Sequence, residues 1–146
     1  MAGGRHRVER LEDCVSFLVG KAAQQVAKRT RERLAPHGVT PVQYAVLRVL
    51  WEGDGRSGAE LGARLALDSA TITGLVDRLE AAGLLARRGD AGDRRVHRLF
   101  LTERGRALQG PLDAAMDAFN AEVAAEMGDA APALWATLRR LGGVRD

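Results

Sequence analysis

The side chains of this chain that could do chemistry form two groups, hydroxyls on one short segment and arginines on the turn that follows. Ser69, Thr71 and Thr73 lie between Leu67 and Glu80, with Asp68 just ahead of them. Arg87, Arg88, Arg94, Arg95 and Arg98 fall between Leu84 and Thr102, where the only carboxylates are Asp90 and Asp93. Short hydroxyl side chains near a helix start let the helix approach base edges and offer both donor and acceptor. Arginines on an exposed turn bring charge and a fork of donors that phosphate oxygens accept. A core would expel that charge, so the turn stands beside an anion or in open solvent.

Catalytic and metal-binding patterns are missing. The sequence has no phosphate-binding glycine loop, no His-x-x-x-His pair and no nucleophile elbow. Its histidines, His6, His37 and His97, are scattered, and Cys14 is the single cysteine. No enzyme activity, metal or other cofactor is expected.

Local signals position the hydroxyls and the arginines. Ser57-Gly58-Ala59-Glu60 is a capping box that opens a helix carrying Leu61 and Leu65 on one face. Asp68 or Ser69 caps the next helix, Ala70 to Glu80. Ile72, Leu75, Val76 and Leu79 fall at helical spacing and point to a core. Ser69, Ala70, Thr71, Thr73, Gly74 and Asp77 remain on the other side. Gly83 suits a left-handed helix end. A strand from Leu84 to Arg88, a turn to Arg95 and a return strand from Val96 to Leu101 complete a hairpin, although Leu99-Phe100-Leu101 blurs the alternation. Two helices across a tight turn followed by a charged hairpin is the layout of a winged helix-turn-helix. The expected fold is mostly α with a small β-hairpin wing.

The flanks read as helices. Leu11, Val15, Leu18, Ala22 and Val26 form an amphipathic stripe on one helix from Leu11 to Leu34, ended by Pro36-His37-Gly38. Thr40-Pro41-Val42-Gln43 opens another, with a capping threonine, proline at the first position and glutamine three after the cap. That helix carries Tyr44, Leu47, Leu50 and Trp51. Thr102 caps a long helix with Leu108, Leu112, Met116, Phe119, Val123 and Met127 on one stripe. Leu134, Trp135, Leu138 and Leu141 mark a last short helix. So long a stripe exceeds what one winged-helix core covers, and its surplus is expected to meet a second copy. The expected organisation is a single domain over 1–146, with dimerisation helices at 9–35 and 103–142 flanking a DNA-binding lobe at 40–102 whose wing spans about 84–101.

Composition sets the remaining bounds. A chain of 146 residues has room for one core. With 46% hydrophobic and 4% aromatic residues, that core is expected to be Leu, Val and Ala. The net charge is +3 and the isoelectric point about 9.7, consistent with an anionic partner. No apolar run is long enough to span a bilayer, and the polar stretch Met1–Arg10 lacks an apolar signal segment. A cytoplasmic protein is expected.

The run Leu67–Thr102 resembles the MarR family of bacterial transcription regulators. Asp93-Arg94-Arg95 followed by Leu101-Thr102 is similar to that family's wing signature, and Pro41-Val42-Gln43-Tyr44 to its Pro-x-Gln-aromatic segment. The resemblance covers roughly residues 10–140. It implies a homodimer on a pseudo-palindromic duplex operator, usually a repressor released by a small molecule or an oxidant.

Individual roles follow. Asp68, Ser69, Thr71 and Thr73 stand where base edges or phosphates can be reached. Arg78 either contacts phosphate or pairs with Asp77 or Glu80. Arg95 is placed for a minor groove, where negative potential is strongest over narrow A·T steps. Asp93 is expected to orient Arg95 by a charge-assisted hydrogen bond. Arg94, Arg87 and Arg88 are at most general phosphate contacts. In the family, effectors sit between the dimerisation helices and the DNA-binding lobe. By position, the lining here is Phe17, Lys21, Gln24, Tyr44, Leu47, Arg48 and Trp51. Lys21 and Arg48 would meet a carboxylate, and Tyr44 and Trp51 an aromatic ring, which points to an aromatic acid or phenolic effector. Each of these side chains also has a plain reading as core or solvated surface.

The alternative is a redox-sensing regulator of the organic-hydroperoxide type acting through Cys14. That branch of the family carries a lone reactive cysteine in its first helix, and Leu67-Asp68-Ser69 with Tyr44 is similar to it. In ungapped register, however, the branch's cysteine falls on Ser16. Its activating tyrosines are also missing, since Tyr44 is the only tyrosine. Cys14 is instead expected on the apolar stripe with Leu11, Val15 and Leu18, where burial would raise its pKa.

Overall fold

The computed structural model describes residues 7–145; most of the polar N-terminus, including His6, lies outside them. The helices are α1 (Val15–Leu34), α2 (Pro41–Glu52), α3 (Gly58–Leu65), α4 (Ser69–Ala81), α5 (Glu103–Ala107), α6 (Gln109–Met127) and α7 (Ala131–Leu141). The strands are β1 (Arg56–Ser57), β2 (Leu85–Gly89) and β3 (His97–Leu101). The expected caps form. Thr40 accepts the Gln43 amide while its own amide donates to Gln43 Oε1, and Ser57 and Glu60 make the same reciprocal pair.

The wing is antiparallel, with β2 and β3 in register from Leu85↔Leu101 to Gly89↔His97. Leu99 and Leu101 point inward while Phe100 faces outward beneath the Arg88 guanidinium, 4.7 Å from its ring centroid. The alternation that Phe100 blurs in the sequence is therefore intact. β1 adds a third strand on the other edge of β3, pairing Arg56 with Leu99 and Ser57 with Arg98. Two residues carry no periodicity, so this strand was not expected.

Ile72, Leu75, Val76 and Leu79 are buried with Leu34, Val46, Leu47, Leu50, Leu61, Leu84, Leu85, Leu99, Leu101 and Leu112 in one core. Among the described residues, no alanine belongs to it. The core is leucine with valine and one isoleucine, because a methyl group fills too little volume between helices spaced by leucines. Two helix boundaries also differ from expectation. α1 starts at Val15, after a 3₁₀ turn at Leu11–Asp13 whose Asp13 carboxylate accepts the Arg10 amide. The helix after Thr102 is two pieces, α5 and α6, joined at Leu108. Pro111 has no N–H to give the Ala107 carbonyl, so the continuous ladder is interrupted there.

Candidate nucleic-acid interface

Between α3 and α4 the chain turns through Ala66 in a left-handed conformation (φ 54°, ψ 44°). Asp68 then caps α4, its Oδ1 accepting the Thr71 amide at 2.7 Å. That hydrogen bond holds the carboxyl below the usual range. Ser69, Ala70, Thr71, Thr73, Asp77 and Arg78 are exposed along the face opposite the core. The Thr73 hydroxyl donates to the Ser69 carbonyl at 2.8 Å. Its oxygen therefore remains as an acceptor, beside a methyl group that thymine methyls could meet.

The wing arginines divide sharply. Arg87 pairs with both Asp77 and Glu80 of α4, and Glu80 also accepts the Arg87 amide at 3.1 Å. These bonds raise the Arg87 pKa and fasten the wing to α4. Arg88 lies over Phe100. Arg98 donates to Asp90 Oδ2 at 3.1 Å and to the Gly55 carbonyl at 2.9 Å. Asp90 in turn accepts the Gly92 amide, which lowers its pKa and shapes the tip. Arg94 and Arg95 are exposed and, among the described residues, make no ion pair. Asp93 Oδ1 accepts the main-chain amide of Arg95 at 2.9 Å. It thus orients the backbone of Arg95, not the guanidinium. Arg78 pairs with neither Asp77 nor Glu80, both of which hold Arg87, since residues one and two apart on a helix do not face one another.

The base of the wing is clasped by Asp54, which no motif marked, and by Thr102, the closing residue of the wing signature. Asp54 accepts the Leu101 amide at 2.9 Å and pairs with Arg106 at 2.8 Å. Thr102 donates to the Gly83 carbonyl at 2.7 Å and accepts the Gly105 amide at 3.0 Å.

The residues placed by resemblance in an effector crevice are dispersed in character. Lys21 and Gln24 are exposed on α1 and Phe17 is half-buried, whereas Leu47 is fully buried in the core. Tyr44 and Trp51 meet edge to face with centroids 6.1 Å apart. The Trp51 indole donates to the Gly105 carbonyl at 3.1 Å. Arg48 is not a free cation: it donates to Asp113 Oδ2 at 2.8 Å. Tyr44 donates to the other oxygen at 3.2 Å, and partial burial with the Asp113 charge pushes its hydroxyl up to about 12. Asp113 was not singled out in the sequence. A carboxylate next to Leu112, toward the inner side of α6, was the available signal for a cation on a facing helix.

Cys14 departs from expectation. It is the N-cap residue of α1, half-exposed, with its sulfur 3.1 Å from Ser16 Oγ. The Ser16 hydroxyl and the amides of Phe17 and Ser16 push the thiol pKa down, not up. The 3₁₀ turn ahead of α1 takes Cys14 off the helical stripe, and free amides at a helix start favour a thiolate.

Comparisons with known proteins fit this geometry. A family model described as MarR family matches residues 37–96. The HTH-type transcriptional regulator TtmR of Methylorubrum extorquens is 44% identical over 110 residues, 75% of this chain and 56% of that relative. The organic hydroperoxide resistance transcriptional regulator of Bacillus subtilis is 32% identical over 100 residues, 68% of each protein. Among solved structures, the transcriptional repressor CouR bound to a 23-mer DNA duplex superposes with a TM-score of 0.83 at 27% identity, over 93% of this chain and 97% of that one. CouR from Rhodococcus jostii RHA1 bound to p-coumaroyl-CoA gives 0.80 at 29%, over 94% and 98%. The family model spans the helix pair and the first strand of the wing, the backbone superposes over nearly the whole chain, and the chain belongs to the MarR family of transcriptional regulators.

Proposed function

We propose that the chain is a sequence-specific DNA-binding repressor that acts as a homodimer and is released by a small aromatic or phenolic effector. The observation that carries the DNA-binding part is the pairing of the wing arginines. Two of the five, Arg87 and Arg98, are paired with Asp77, Glu80 and Asp90; among the described residues, Arg88 lies over Phe100 with its charge unpaired, and the two at the tip, Arg94 and Arg95, are left for an outside anion. α4 presents Ser69, Thr71 and Thr73 on its exposed face. The roles read for Asp68, Arg78 and Asp93 become, in this proposal, capping of α4, a phosphate contact and support of the tip. CouR, similar in fold throughout, binds both duplex DNA and an aromatic acyl thioester.

Dimer formation is supported by apolar side chains left open on the flanking helices. Val15 is 65% exposed, Leu18 49%, Leu138 52% and Leu141 61%. An isolated chain would leave these in water at a cost of roughly 25 cal/mol per Å².

In the effector reading, Phe17, Lys21 and Gln24 of α1 and Tyr44, Arg48 and Trp51 of α2 meet the ligand. A ligand carboxylate would engage Lys21 directly but must draw Arg48 away from Asp113. Release needs a protomer arrangement whose α4 spacing misfits the operator, so operator DNA must weaken ligand affinity by the same factor. Titrating a panel of hydroxylated aromatic acids into the protein–duplex complex tests this. Release by one of them, blunted in Lys21→Met, supports the reading, and a flat response across the panel removes it.

The position of Cys14 favours a second reading, release by oxidation of its thiolate. A half-exposed thiol whose pKa is lowered, with a hydroxyl oxygen 3.1 Å from its sulfur, leans toward the thiolate that such oxidation starts from. Low organic hydroperoxide applied to the complex separates the two: release abolished in Cys14→Ser supports oxidation.

A further inference from the structure

Gly74 stands in the middle of α4 on the line farthest from the core. At 3.6 residues per turn it lies roughly 150° from the centre of the face made by Ile72, Leu75, Val76 and Leu79, all of them buried. Its companions on that outer side are Ala70, Ala81 and, at the same angle from the core, Asp77, whose carboxylate is held by Arg87. A Cβ built on Gly74 meets no atom within 4 Å. Its φ is not in the left-handed region. Neither packing nor backbone conformation within the protomer calls for glycine here. Glycine also weakens a helix interior relative to alanine, because it gives up more freedom on folding. The free protein thus carries a defect with no internal compensation.

The compensation lies outside the protomer. A major groove about 12 Å wide barely admits a helix 10–12 Å across with its side chains. Long side chains on the outermost line would hold such a helix away from the groove floor. The groups that must read bases in α4 are short, and the Thr73 hydroxyl is turned back to the Ser69 carbonyl, which shortens its reach further. These residues reach base edges only if the backbone comes close. We infer that Gly74 sets the depth at which α4 seats in the major groove, an inference that rests on the duplex-binding reading above. The missing Cβ lets the helix backbone approach the bases, and a methyl group there lifts Thr71 and Thr73 from them.

The test is Gly74→Ala in the full chain, because alanine can only reinforce the free helix. The probes are a duplex of roughly 24 bp selected by the parent protein from a random library, and an unselected duplex of equal length. Thermal unfolding should show a melting temperature about 2–4 °C higher than the parent. Fluorescence anisotropy should show affinity for the selected duplex weakened about tenfold or more. Affinity for the unselected duplex, held by phosphates alone, should stay within about threefold. More stability with less specific binding is an outcome that a structural role for the glycine cannot produce. Undiminished binding of the selected duplex by Gly74→Ala overturns the inference while leaving the duplex-binding reading intact. A variant that unfolds or loses stability overturns it too, since the glycine would then serve the fold. A parent protein that enriches no duplex overturns both.

Discussion

Among single side chains, what decides function is which charged groups are already engaged. Arginine content marked the wing in the sequence, but content alone cannot tell a phosphate contact from a brace. The sequence offers Arg87 as at most a general phosphate contact, whereas its position between Asp77 and Glu80 makes it the tie between wing and α4. The sequence could not show this, because the partners sit ten and seven residues earlier and meet Arg87 only once the chain has turned at Gly83. Arg95 stays free at the tip, so Arg95→Ala should weaken specific duplex binding about tenfold and flatten its salt dependence by roughly two counterions per dimer. Circular dichroism and oligomeric state should not change. Equal affinity of parent and variant across a salt series would show that the tip stays in solvent. Cys14 gives a second test. Its thiol is held down by the Ser16 hydroxyl and by helix-start amides. The rate of alkylation by iodoacetamide should therefore reach its half-maximum at a pH below that of an unperturbed cysteine. Ser16→Ala should move that midpoint upward, and no movement would place the cause elsewhere.

At the element scale, most of the architecture was legible, because caps and helical spacing are local. The boxes at Thr40–Gln43 and Ser57–Glu60 and the inward set on α4 follow from residues a turn apart. What was not legible depends on distant partners. β1 exists because β3 offers it an edge, and Cys14 leaves the first helix because Asp13 closes a turn with Arg10. The joint between the lobe and the C-terminal helices is likewise tertiary. At Gly105, α5 lies so close to the start of β2 that a Cβ would come within 2.0 Å of the Leu84 carbonyl oxygen. The same residue's carbonyl receives the Trp51 indole. Gly105→Ala should therefore destabilise the fold by about 2–4 kcal/mol, as backbone must move to admit one methyl group. A urea titration would register this as a lower midpoint, and an unchanged midpoint would mean that α5 and Leu84 are not in contact. Gly74→Ala, with the same substitution in open space, should act in the opposite direction.

At the scale of the whole molecule, the chain is a winged lobe carried between helices whose apolar surface is only partly used. α1 and α6 are held together by Arg29 and Arg33, which pair with Glu122 and Glu126 and lie over Phe119. Beyond that brace, Leu18, Val19, Val26 and Leu138 border an open apolar groove of about 430 Å³. The excess apolar stripe was visible in the sequence, whereas the charged brace beneath it was not, since Arg29 and Glu126 are nearly a hundred residues apart. Among the described residues, no helix is long and apolar enough to cross a membrane. In the proposed function two such chains present their α4 helices together to one duplex. Sedimentation of the protein with a fluorescent duplex selected from a random library measures this directly. The expected result is two chains per duplex, enriched sequences with half-sites about 10 bp apart, and affinity that falls steeply with salt. One chain per duplex, or enriched sequences without twofold symmetry, would contradict it.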